Sequence, residues 1–211
     1  MTLSDQIAIW LRERLAAADA DGFVIGLSGG VDSATSSALA VRAVGSGHVL
    51  AALMPCHSVP EDARLGRLVA DTFGIPTVTV NLSTTYDALV AALPPSEHPL
   101  AAANIKPRLR MIVLYYLAQS HNYLVLGSGN KTELAVGYFT KYGDGGVDLL
   151  PLGDLDKTQV WELARELDRV LAAIAAGHTS GIAPATLEKV RGMMAASEHK
   201  RAMPPVFRVA V

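Results

Sequence analysis

Chemistry gathers first at a glycine pair flanked by hydroxyls and a carboxylate, Ser28-Gly29-Gly30-Val31-Asp32-Ser33. The string follows an apolar, β-branched run at 23–27 and opens a stretch with a helical pattern, 33–44. Glycines let a backbone turn sharply and approach a ligand closely. The N–H groups at a helix start have no partner within the helix, and the positive end of the helix dipole lies behind them. Such a turn is an anion site suited to phosphate, and Ser28 and Ser33 add hydroxyl donors. Asp32 would repel a phosphate, so its sensible role is to hold Mg²⁺ that bridges to the phosphates. The string is neither a Walker A loop, which needs Gly-Lys-Ser/Thr, nor the three-glycine dinucleotide fingerprint. A second glycine turn, Gly127-Ser128-Gly129, closes another apolar run at 123–126, and Glu133 lies just beyond it. Two carboxylates, Asp32 and Glu133, on one Mg²⁺ that also carries phosphate oxygens is usual for this hard cation.

Both turns need strands to hold them. Residues 23–27, 49–54, 77–80 and 123–126 are short apolar runs that read as strands. Between them, 33–44, 60–73, 83–93 and 105–120 read as helices. Pro60 and Glu61 suit a first helical turn, Pro94-Pro95 ends the third helix, and Pro107 must lie in the first turn of the fourth. Residues 94–100 read as a loop, and 168–182 are ambiguous. At the N-terminus, Leu3, Ile7, Trp10, Leu11 and Leu15 recur at helical spacing, with Ser4 as the expected cap. Alternating strands and helices predict an α/β fold, a parallel sheet flanked by helices on both faces in a three-layer, Rossmann-like arrangement. Ligands of such sheets bind at the carboxyl ends of the strands, near the point where strand order reverses. Both glycine turns sit at such ends.

The 211 residues fit a single domain, 1–211. Half are hydrophobic and 18% charged, so a sizeable core is available and a homodimer is the expected assembly. A net charge of −2 argues against a nucleic-acid partner, which calls for a basic excess. Cys56 is the lone cysteine, so no intrachain disulfide can form and a cytoplasmic setting fits. Asp5, Arg12, Glu13 and Arg14 interrupt the first apolar stretch, which is therefore neither a signal peptide nor a membrane span. Cys56 itself has no His/Asp arrangement around it to suggest a nucleophile.

The first turn resembles the pyrophosphate loop of the N-type ATP pyrophosphatases, the adenine-nucleotide α-hydrolase-like fold. These enzymes cleave ATP between the α and β phosphates and adenylate an oxygen of the substrate. Two further stretches, Asn104-Ile105-Lys106-Pro107-Arg108-Leu109-Arg110-Met111 and the run from Gly127 to Lys157, resemble the NAD synthetase family, as does Glu198-His199-Lys200-Arg201. The string Phe139-Thr140-Lys141-Tyr142-Gly143-Asp144-Gly145-Gly146 is the most specific part of the match. The resemblance implies an ammonia-dependent ligase that amidates deamido-NAD with ATP. It implies ATP contacts along Gly26, Leu27, Ser28, Gly29, Gly30, Val31, Asp32 and Ser33, and at Ser128 and Lys157. Ser128 stands where the family usually has threonine. The same resemblance implies Mg²⁺ on Asp32 and Glu133, and Asp32, Glu133 and Lys157 as the catalytic set. For deamido-NAD it implies Arg108, Lys141, Asp144, Asp148, His199 and Lys200. The chemistry is sensible, because the substrate's pyrophosphate and carboxylate are anions that Arg and Lys pair with.

Taken singly, Lys141 and Lys157 read as solvated lysines, Glu133, Asp144 and Asp148 as loop or capping residues, and His199 as exposed. Their joint spacing within one pattern lifts them above that. Arg108 and Arg110, two apart on a helix, cannot share a face, and the family pattern favours Arg108. No protein nucleophile is required, and a chain of this length has no room for a glutamine amidase domain, so free or partner-delivered ammonia is expected. The pattern departs from the family after Leu167. A segment with a Pro-(Ser/Thr)-Ala motif and an acidic loop is absent before Asp168. Either the natural chain lacks it, or a mobile loop is left out of this sequence at the 167/168 junction. Both flanks keep the family pattern, which favours the second. The rival readings are another pyrophosphate-loop enzyme, such as a GMP synthetase subunit or a tRNA-thiolating enzyme, and a non-catalytic nucleotide sensor.

Overall fold

A computed structural model of the chain describes residues 1–168. His199 and Lys200 lie outside the described residues, as does all but the first residue of the ambiguous stretch 168–182. Among the described residues four strands, β1 (Gly22–Gly26), β2 (Val49–Leu53), β3 (Thr77–Thr79) and β4 (Tyr123–Leu126), form one sheet in the order β3-β2-β1-β4. Every pairing is parallel; β1 sits in register with β2 on one side (Ile25 opposite Ala51) and with β4 on the other (Ile25 opposite Leu126). The chain runs outward from β1 through β2 to β3, then returns to place β4 on the opposite side. The order therefore reverses between β1 and β4, and the two glycine turns leave the sheet side by side at that point.

Side chains alternate across a strand, and β1 uses both faces. Phe23 and Ile25, at most 1% exposed, pack with Leu11 of α1 (Leu3–Ala17), Leu39 of α2 (Val31–Val44), Val69 of α3 (Pro60–Phe73) and Val160 of α8 (Lys157–Leu167). Val24 points the other way, into a smaller cluster with Met54, Cys56, Leu82 and the Leu117-Ala118 pair of α6 (Ile105–His121). Tyr86 of α4 (Ser83–Ala92) packs against that second cluster. Helices cover both faces, as the strand–helix alternation predicts. Burying a side chain such as Ile25 stabilises the fold by roughly 1.5–3 kcal/mol.

Local chemistry explains the element ends and three differences from the sequence reading. Pro60 starts α3 with Glu61 and Asp62 in its first turn, and Gly74 ends it at φ 64°. The cap of α1 is Thr2 rather than Ser4: the Thr2 hydroxyl accepts the Asp5 N–H while Asp5 accepts the Thr2 N–H. Ser4 is already inside the helix, buried, and its hydroxyl donates to Glu166 of α8 at 2.8 Å. The loop expected over 94–100 holds through residue 98, and a short helix, α5 (Pro99–Ala103), then begins two residues early, because a proline at the first helical position followed by leucine and alanines favours a turn of helix. A further short helix, α7 (Lys131–Val136), follows the second glycine turn. Beyond it, the Asp148 N–H bonds Val125 O at 3.0 Å and the Gly127 N–H bonds Leu149 O at 2.8 Å, so residues 148–149 lie along the outer edge of β4.

Candidate active site between two strand-end turns

The first turn is self-braced. Ser33 Oγ donates to Gly30 O at 3.0 Å and lies 3.1 Å from Ser28 Oγ, and the Ser28 N–H reaches Ser33 Oγ at 3.3 Å. The two hydroxyls expected to reach a phosphate are thus engaged first in shaping the loop, Ser33 at only 2% exposure. Gly29 stands at φ 80°, and a Cβ there would come within 2.6 Å of Asp62 O, so the position admits only glycine. Gly30 takes the N-cap of α2 without any side-chain cap. The first-turn amides of α2 are thereby free of a competing side chain, which an anion site requires.

The second turn is organised by one residue, Asn130. Its Oδ1 accepts the Glu133 N–H at 3.0 Å and Glu133 Oε2 accepts the Asn130 N–H at 3.2 Å, a reciprocal capping box at the start of α7. Its Nδ2 reaches across to Asp32 Oδ1 at 3.0 Å. Asp32 Oδ2 in turn accepts Lys157 Nζ, from the first residue of α8. The two turns are therefore joined through Asp32, Asn130, Glu133 and Lys157. Burial pushes the Glu133 carboxyl above its usual range; the amide hydrogen bond from Asn130 opposes the rise and the neighbouring Asp32 charge adds to it.

A cavity of about 170 Å³ lies between the turns, lined by Ser28, Asp32, Ser128, Glu133 and Asp144 among others. That is below the roughly 300–1,000 Å³ of a pocket that swallows a whole small ligand, so it suits phosphates and an ion rather than an entire dinucleotide. A larger hollow, about 490 Å³, is an open surface beside the Asp5–Arg42 pair and carries no strand-end chemistry. Among the described residues no cluster of three His, Cys, Asp or Glu side chains occurs. Two hard carboxylates beside a phosphate-sized cavity nevertheless suit Mg²⁺, which takes one or two carboxylates and fills its remaining positions with waters and substrate oxygens. The residues present fit that ion.

The residues expected at the substrate are more dispersed. Asp144 lines the cavity and its Oδ1 accepts the Thr140 N–H at 2.8 Å. Arg108, exposed, extends from α6 toward Lys141 O at 3.5 Å. The Lys141 ammonium lies 5.3 Å from the Tyr142 ring centroid. Asp148 is also exposed, yet both of its oxygens are occupied: Oδ2 accepts the Val125 N–H at 2.8 Å and Oδ1 the Tyr115 hydroxyl at 2.9 Å. Burial and that hydrogen bond push the Tyr115 hydroxyl up to about 12. Arg110 departs on another side of α6, to Met54 O at 3.1 Å and Ser58 Oγ at 3.4 Å, as the two-residue spacing predicts. Asn130 and Tyr115 were not among the residues singled out from the sequence. Asn130-Lys131-Thr132-Glu133 carries the capping-box signature, so the cap was legible; the reach to Asp32 was not.

The model of the family described as NAD synthase matches residues 3–176. The chain belongs to the NAD synthase family. An NH(3)-dependent NAD(+) synthetase from Carboxydothermus hydrogenoformans is 51% identical over 168 residues, spanning 78% of this chain and 69% of that relative. The structure of the NH3-dependent NAD synthetase from Campylobacter jejuni superposes with a TM-score of 0.88 at 25% identity, covering 98% of each chain. The structure of an NMN synthetase from Francisella tularensis superposes with a TM-score of 0.85 at 32% identity, covering 97% of this chain and 98% of that one.

Proposed function

We propose that this chain is a ligase converting deamido-NAD to NAD with ATP and ammonia through an acyl-adenylate, releasing AMP and pyrophosphate. The observation that carries the reading is the meeting of Asp32, Glu133 and Lys157 between two strand-end turns in a chain of this family. The uncapped amides of the first turn receive the ATP phosphates, and Lys157 moves from Asp32 onto them. Asp32 and Glu133 would hold Mg²⁺, which when bound neutralises phosphate charge. A nicotinate carboxylate oxygen attacks the α-phosphorus and the bond to pyrophosphate breaks. Ammonia then attacks the acyl carbon, the bond to the AMP oxygen breaks, and the surplus ammonium proton passes to solvent. The protein's part is placement and charge stabilisation.

Arg108, Lys141, Asp144, Asp148, His199 and Lys200 are assigned to deamido-NAD under the same proposal. The proximity of Arg108 to Lys141 and the place of Asp144 in the cavity support it. A homodimer completes it: Ile112 and Tyr116, one turn apart on α6, are 58% and 71% exposed, an apolar face suited to a second copy. Light scattering at micromolar concentration reads that assembly. We also infer that the Leu167–Asp168 join marks a segment left out rather than deleted; the intact mass of the natural protein decides this. Among the described residues no helix is long and apolar enough to cross a membrane, and the lone, buried Cys56 supports placing the reaction in the cytoplasm.

The test is incubation with ATP, Mg²⁺, ammonium and deamido-NAD, following NAD and AMP together. Equal amounts of the two are expected. ATP turnover without NAD would favour a rival pyrophosphate-loop enzyme, and ATP binding without turnover a sensor. The likeness to an NMN synthetase supports one further arm, nicotinate mononucleotide as substrate. The higher identity to NAD synthetases favours the dinucleotide.

A further inference from the structure

Both carboxylates of the candidate centre are hydrogen-bonded by one residue that touches neither ATP nor substrate in the proposed reaction: Asn130 reaches Asp32 through its side-chain amide and Glu133 through its backbone N–H. Asn130 is 1% exposed. An amide so buried is tolerated only where its polar atoms find partners, and here those partners belong to opposite sides of the cavity. Its carbonyl oxygen serves the Glu133 amide, its backbone N–H serves the Glu133 carboxylate, and its side-chain N–H serves Asp32 Oδ1. A capping box accounts for the first two of these contacts, and the third, to Asp32 on the other turn, is not part of a cap. Serine and aspartate cap about as well and threonine somewhat less, but none pairs an acceptor for the Glu133 N–H with a donor for Asp32 on one planar group. Aspartate would turn a second carboxylate toward Asp32.

We propose that Asn130 is a positioning residue that locks Asp32 of one turn and Glu133 of the other into the single arrangement from which they share a cation. The proposal rests on the ligase reading, and its test separates the two. The full chain is titrated with Mn²⁺ in the presence of α,β-methylene-ATP, which cannot be cleaved, and free Mn²⁺ is read by electron paramagnetic resonance. Asn130→Ser keeps a capping hydroxyl and loses the amide N–H. Groups that orient a metal's ligands are worth about 10–100-fold in affinity, so Asn130→Ser should weaken Mn²⁺ by about tenfold or more. The Mg²⁺ concentration for half-maximal rate should rise by the same factor, with little change in Tm. Wild-type Mn²⁺ affinity and Mg²⁺ dependence in a folded Asn130→Ser would overturn the proposal and leave Asn130 a helix cap. Should that variant fail to fold, Asn130→Asp decides, since it preserves shape and cap. Its kcat at saturating Mg²⁺ should fall at least about tenfold, and an unchanged kcat would overturn the proposal. A wild-type enzyme that makes no NAD would instead sink the ligase reading, whereas the Mn²⁺ titration needs no turnover.

Discussion

The two halves of the candidate site are built differently. At the phosphate end, Asp32, Asn130, Glu133 and Lys157 interlock, with side chains of Asp32 and Lys157 only 17% and 32% exposed. At the end proposed for the dinucleotide, Arg108, Asp144 and Asp148 are exposed, and each is satisfied by a backbone group or a tyrosine nearby. Chemistry that relies on charge placement gains from a centre assembled before the substrate arrives. A substrate with its own charges can be met by side chains that exchange local partners for it. Loss at the first end should therefore appear in kcat, and loss at the second in KM.

The sharpest way to break that contrast is Glu133→Ala. It should lower kcat by about 10²–10³-fold, the scale of a lost charge-stabilising contact, with KM for deamido-NAD little changed. Steady-state kinetics at saturating ATP read it, and wild-type activity would remove Glu133 from the centre. Lys157→Ala should lower kcat/KM for ATP by about 10–100-fold, matching about 1.5–3 kcal/mol for a hydrogen bond to a charged group. The same variant should bind Mn²⁺ more tightly without nucleotide, because Asp32 is then free of its ion pair; calorimetry reads the direction. Arg108→Ala should raise KM for deamido-NAD by about tenfold at nearly constant kcat, since about 1.4 kcal/mol is a factor of ten. A fall in kcat instead would erase the distinction between the ends.

The smallest expected effect is at Tyr115. Burial and the hydrogen bond to Asp148 push its hydroxyl up to about 12, above the ordinary tyrosine value of 10.0. The folded state thus holds the proton more tightly, so this contribution is fully present below pH 10 and is lost as pH rises toward 12. Urea midpoints across that window should fall less steeply for Tyr115→Phe, which has no proton to lose.

Much of this was legible in the residues alone. The run at 23–27 followed by Ser28-Gly29-Gly30 foretold both β1 and the turn, because apolar β-branched residues and glycines constrain the backbone locally. The strand–helix alternation foretold the parallel sheet. Where the reading failed, the determinant was either short or distant. Helix α5 spans one turn or so, too few residues for a periodic signal. Ser4 and Thr2 are both competent caps, and the choice follows from Asp5 answering Thr2 and from Glu166, far along the chain, taking the Ser4 hydroxyl. That Asp148 serves β4 and Tyr115 depends on tertiary placement, which no local pattern encodes.

The stretch that runs past β4 has one more implication. Val125 and Gly127 give hydrogen bonds to Asp148 and Leu149 that an outermost strand would otherwise offer to any passing chain. The segment proposed to greet the dinucleotide is thus also the sheet's guard against sticking to its neighbours. Substitutions there that widen substrate choice by loosening the loop will tend to be met first as insoluble protein, before any change in selectivity can be scored.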